Sequence, residues 1–157
     1  MKRLSVLLAT ALVAGLLSAA AARAAANYNN TVKGFQTVAG GSEGPAVLLE
    51  AAGDLPGMGK VSFERDGNNV TGGSWTLTVL PPNADASSTE RGTLSGSVGG
   101  GTLSFNSAGS LDGASSVQLT VESGTGQFAG AAGTGVISLS VNPENPSQLK
   151  GTLTLDF

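Results

Sequence analysis

Catalysis needs side chains that move protons, attack electrophiles or hold metals, and this 157-residue sequence has few of them. It contains neither His nor Cys. The commonest general base, the thiolate nucleophile and the usual zinc ligands are therefore missing, which excludes serine-histidine, cysteine-histidine and zinc-hydrolase mechanisms. Carboxylates remain, and paired carboxylates are sufficient for glycoside hydrolysis. Glu64, Glu122 and Asp156 alternate with apolar neighbours, however, which puts them on the polar faces of their segments. Glu50 is the acid whose burial matters. It follows Val47 and Leu49 in alternation, but Leu48 shares its face and leaves the orientation of that segment ambiguous. No residue is assigned a catalytic role, no metal ligand is assigned and no cofactor is expected.

Two short motifs imitate binding sites. Asp66-Gly67-Asn68-Asn69 clusters oxygens as a calcium loop does, but the EF-hand pattern fails after its third position, and a tight turn is the better assignment. Gly124-Thr125-Gly126-Gln127-Phe128-Ala129 matches a dinucleotide fingerprint in spacing. That fingerprint works only when a helix follows inside a βαβ unit, and here glycine-rich sequence runs into another alternating segment. Closely spaced glycines in a β context serve a turn or bulge, with Phe128 folding inward as a plug.

The elements that carry these residues are strands. Val117, Leu119 and Val121 alternate with Gln118, Thr120 and Glu122; Ile137, Leu139 and Val141 alternate with Ser138 and Ser140; Leu149, Leu153, Leu155 and Phe157 oppose Lys150, Thr152, Thr154 and Asp156. A two-residue period with one apolar face marks a half-buried strand. The same rule runs through Val47 and Leu49, Val61 and Phe63, Trp75 to Val79, Leu94 and Val98, and Leu103 and Phe105, with a ragged first strand near Thr31 to Val38. Eight or nine strands result. Asp66-Gly67 is expected to form a type I′ hairpin, Gly99-Gly100-Gly101 a second hairpin, and Pro81-Pro82 to end the Trp75 strand. Gly92-Thr93-Leu94-Ser95, Gly101-Thr102-Leu103-Ser104 and Gly151-Thr152-Leu153-Thr154 are irregularly spaced, so they mark strand entry and not a repeat array. The connections Pro81 to Arg91 and Asn106 to Ala114 are longer than tight turns. No long helix is expected beyond the amino terminus.

That terminus has the parts of a secretory signal peptide, expected to be helical: Lys2 and Arg3, an apolar run from Leu4 to Ala21, then Ala22-Arg23-Ala24 as an A-x-A cleavage site. Residues 1–24 are assigned as the signal and 25–157 as one β domain, secreted or periplasmic. Lys2, Arg3 and Arg23 leave with the signal, so 8 − 3 = 5 basic residues face 11 acidic ones, a net charge of −6. Such a surface does not attract nucleic acid, and no membrane insertion is expected after cleavage. With no cysteine, stability comes from burial and backbone hydrogen bonding, and a cysteine-linked lipid anchor is excluded.

The run Gly124-Thr125-Gly126-Gln127-Phe128-Ala129-Gly130-Ala131-Ala132-Gly133, with the alternating strand after it and the final Lys150 to Phe157 strand, resembles the closing hairpin of allene oxide cyclase and dirigent-type barrels. Gly124, Gly126, Phe128, Gly130 and Gly133 carry the motif. The resemblance implies an eight-stranded antiparallel barrel, often oligomeric, whose lumen holds an apolar ligand; a two-sheet sandwich is the alternative that alternation alone allows.

The expected function is that of a non-catalytic exported barrel binding an apolar small molecule or a surface partner, with homo-oligomerisation implied by the resemblance. Phe63, Trp75, Leu77, Phe105 and Phe128 are the expected lumen residues. Two alternatives stand beside it. One is a cyclase-like or dirigent-like enzyme with a buried acid such as Glu50. The other is a structural envelope or matrix protein, which requires exposed sheet edges.

Overall fold

The computed structural model describes residues 26–37, 45–80, 91–104, 110–113 and 115–157. Residues 1–24, expected to be a signal, and Phe105, Val38 and most of the two long connections lie outside them. Eight strands account for nearly all of the described chain: β1 (Asn27–Thr37), β2 (Ala46–Gly53), β3 (Gly57–Asp66), β4 (Asn69–Val79), β5 (Gly92–Thr102), β6 (Ser115–Gly124), β7 (Gly133–Asn142) and β8 (Asn145–Asp156). Each pairs antiparallel with the next, and β8 returns to pair with β1 from Asn27↔Asp156 to Gly34↔Leu149. The result is a closed up-and-down barrel. Closure rules out the sandwich and leaves no free edge among these strands, so the strand-addition route to a matrix has no template.

Alternation decides which side chains point inward. Val47, Leu49 and Ala51 of β2, Val61 and Phe63 of β3, Trp75, Leu77 and Val79 of β4, and Val117, Leu119 and Val121 of β6 are buried, while the residues between them on each strand face out. An eight-stranded barrel encloses about enough space for its own inward side chains. Glycines on the inner face let large groups cross it. A Cβ at Gly96 would lie 1.7 Å from the Thr120 carbonyl oxygen and 2.9 Å from the Trp75 indole nitrogen. The indole therefore crosses β5 over Gly96, and its N–H donates to the Thr120 carbonyl at 2.9 Å.

Among the described residues, buried apolar groups lie at both barrel ends. At one end Leu55, in the β2–β3 turn, is held by its backbone N–H donating to Asn30 Oδ1 at 2.8 Å. Beside it Phe128 meets Phe157 edge-on at 6.1 Å, and Phe157 stacks on Tyr28 at 4.9 Å. At the other end Leu103 and Leu111 are buried, with the Leu111 N–H donating to Gln36 Oε1 at 2.7 Å.

Four expectations need correction. Gly99-Gly100-Gly101 is no hairpin: β5 runs through it, and the register against β6 slips between Val98 and Gly101. The extra residue is absorbed as a bulge, which glycine makes easy, so β5 continues from Leu94 to Thr102, ending just before Leu103, and the count is eight. The Asp66–Asn69 hairpin exists, but only Gly67 has positive φ (59°), and no non-glycine residue does, so the turn is of the II′ kind and not I′. β1 begins at Asn27, four residues earlier than the alternation suggests, because pairing with β8 outweighs the poor strand propensity of its asparagines. Of the three Gly-Thr-Leu runs only Gly92 opens a strand; Gly101 lies near the end of β5 and Gly151 is inside β8. The three glycines instead share a close approach to a backbone carbonyl: Thr125, Ser116 and Ser138 respectively.

Candidate interaction surface

Phe63, Trp75, Leu77 and Phe128 all face the interior at 1–2% exposure; Phe105 lies outside the described residues. A side chain bordering a cavity large enough for a ligand would show accessible surface on that side. These four show almost none, nor do Val47, Leu94, Leu119, Ile137, Leu153 and Leu155, each at 2% or less. They pack against one another as a core among the described residues.

The glycine motif has a local mechanical role. After β6 ends at Gly124, residues Gly126–Phe128 make one turn of 3-10 helix, with positive φ at Gly126 (60°) and Gly130 (81°). The Thr125 carbonyl accepts from the Phe128 N–H at 3.1 Å, and the Phe128 carbonyl from the Ala131 N–H at 2.9 Å. A Cβ at Gly124 would meet the Phe128 carbonyl oxygen at 2.1 Å, and one at Gly92 the Phe128 ring at 2.6 Å. The glycines thus leave the space that the inward-folding Phe128 fills, while Gly133 starts β7 hard against the Asp156 carbonyl. Strand follows the motif, not helix, so no dinucleotide site is built.

No acid is buried among the described residues. Asn30 and Ser115 are the only buried polar residues among those described, and of the Asn30 amide only Nδ2 lacks a partner. Glu50, Glu64, Glu122 and Asp156 are exposed on the outer wall. Glu50 pairs across strands with Lys33 of β1 and Met58 of β3, and all three side chains point away from the core. Glu50 is therefore not the buried acid that the enzyme alternative looked to. No group of three or more acids is placed to hold a metal among the described residues.

The outer wall divides into two regions. Over β6, β7, β8 and β1 it is a hydroxyl surface, with the cross-strand row Ser116, Ser138, Thr152 and Thr31. Over β1–β3 it changes character. Phe35, Leu48 and Met58 are 51%, 47% and 62% exposed. Phe35 faces Leu48 directly, Leu48 faces Lys60, and Met58 faces Glu50 in the next row. The six side chains thus form two rows on adjacent strands: Phe35, Leu48 and Lys60, then Lys33, Glu50 and Met58. An open hollow of about 380 Å³ lies among Phe35, Leu48, Glu50, Met58 and Lys60. Neither Lys33, Glu50 nor Lys60 has an ion-pair or hydrogen-bonding partner among the described residues.

This patch is not evident from sequence by the usual rule, because alternation marks the inward residues and these are out of phase with it. The detectable signal was Leu48, an apolar residue on the face of Glu50. Phe35 and Met58 carry the same signal, each out of step with inward Gly34 and Gly59. No protein-family model, curated protein or solved structure matches the chain.

Proposed function

We propose that this chain is an exported, non-catalytic β-barrel that acts as an interaction module, engaging a surface partner through the outer wall of β1–β3. The observation that carries this is the contiguous exposed set Phe35, Leu48 and Met58 on a wall otherwise made of Ser, Thr and charged residues. Clustered apolar side chains rimmed by charge are what a docking face presents, whereas scattered ones are ordinary. Two further features support the assignment. Among the described residues the inward side chains are packed and none is an acid, which favours a role on the surface. The polarity is also the reverse of a membrane-spanning barrel, which is apolar outside and polar within. Export rests on the amino-terminal leader. Kinship with allene oxide cyclase and dirigent barrels belongs to the same proposal and rests on the Gly124–Gly133 run; their chemistry is not carried over.

The test places a photoreactive amino acid at Met58, and separately at Thr152 on the hydroxyl wall, in the protein expressed in its native host. Crosslinks from Met58 and none from Thr152 support the assignment. Silence at Met58, or a stoichiometric apolar passenger in native mass spectrometry of the purified protein, overturns it.

A further inference from the structure

We infer that the occupant of the β1–β3 wall is a second copy of this chain, docked about a two-fold axis so that Lys60 of each copy faces Glu50 of the other. The inference rests on the assignment of that wall as the interaction surface and specifies its partner. Neighbouring strands are about 4.8 Å apart, and residues two apart on a strand are separated by about 6.8 Å. On that grid Phe35 and Met58 occupy opposite corners of the two rows, Lys60 and Lys33 the other two corners, and Leu48 and Glu50 the middle positions.

Two faces brought together by a two-fold operation have the axis in the plane between them, and its direction decides which residues meet. An axis along the strands sets Glu50 against its own counterpart, a like-charge contact. An axis across the strands sets Glu50 against Leu48, burying a charge on an apolar group. An axis along the Phe35–Met58 diagonal avoids both. It lays Phe35 on Phe35 and Met58 on Met58, brings Leu48 near the aliphatic stem of Lys33, and sets Lys60 close to Glu50 twice.

Glu50 and Lys60, which have no ion-pair partner among the described residues, thus gain one each across the pair. The hollow beside Met58 gives its partner's flexible thioether a place to enter, as methionine surfaces commonly do. A patch of six residues on a convex wall is at the small end of specific interfaces, so the dimer is weak and reversible.

The experiment is sedimentation equilibrium of the full exported protein from about 1 μM to about 1 mM, a range that covers weak specific association. A reversible dimer is expected. Lys60→Glu and Glu50→Lys should each weaken it about tenfold or more, since each change turns two attractive contacts into repulsive ones. The double exchange restores both pairs and should return the dissociation constant to within about threefold of the original. Both side chains concerned are outward, so the variants keep their fold, which circular dichroism verifies. A monomer throughout the range, or a double variant as weak as either single one, overturns the second-copy inference. If the protein is monomeric while Met58 crosslinks to a different protein, the wall remains an interaction surface and only the identity of its partner falls.

Discussion

Replacing Gly96 by alanine tests the packing of the interior at its tightest point. The new methyl carbon would lie 1.7 Å from the Thr120 carbonyl oxygen, where real contacts of this kind are essentially never under 3.0 Å. Backbone on β5 or β6 must therefore separate by about 1.3 Å, beside a register slip already present at Ser95/Gly96. The same methyl would be 2.9 Å from the Trp75 indole nitrogen, so the bond from that N–H to Thr120 is displaced with it. Overpacking costs about 1–3 kcal/mol. The part-buried Thr120 carbonyl losing its donor adds about 1–3 kcal/mol, giving roughly 2–6 kcal/mol together. For the roughly 110 described residues, unfolding entropy near 2.1 cal/mol/K per residue converts that to a Tm lowered by about 9–26 °C. Differential scanning calorimetry measures it. Trp75 is the sole tryptophan, and its emission should move to the red as the indole loosens. Gly100→Ala in the same strand is the control, since a Cβ there meets nothing within 4 Å. Equal Tm values for the two variants, with unchanged emission, would refute the claim that Trp75 crosses the barrel only because residue 96 has no side chain.

Phe128→Ala should cost about 3–5 kcal/mol in urea unfolding, because it empties the plug against Gly92, Gly124 and Phe157. Gly126→Ala combines positive φ with a Cβ 2.0 Å from the Arg91 carbonyl oxygen, whereas Gly67→Ala has positive φ in open space. The former should be the more destabilising by at least about 1 kcal/mol, and similar midpoints for both would show that the Gly126 turn is not confined. Leu48→Ser should change stability by less than about 0.5 kcal/mol, while Leu49→Ala, one residue on, should lose about 2–5 kcal/mol. A large loss from Leu48→Ser would mean that the patch is covered within the single chain.

Sequence alone determined the β class, the approximate number of strands and the inward set, because a two-residue period leaves each side chain a choice of two faces and water makes that choice. It also excluded histidine, thiol and zinc chemistry by composition. It could not show that Gly99–Gly101 continues a strand, since glycine suits a turn and a bulge equally, and the β4 and β6 partners on either side decide between them. Nor could it show that the sheet closes, because a sandwich and a barrel give the same alternation and only the β1–β8 register separates them. The orientation of Glu50 was settled in the same way. Val47, Leu49 and Ala51 fill the core, and what opposes their face must then lie outside. The Phe35, Leu48 and Met58 patch was decided last and only in three dimensions, for it joins residues up to 23 positions apart that become neighbours when β1, β2 and β3 align in register.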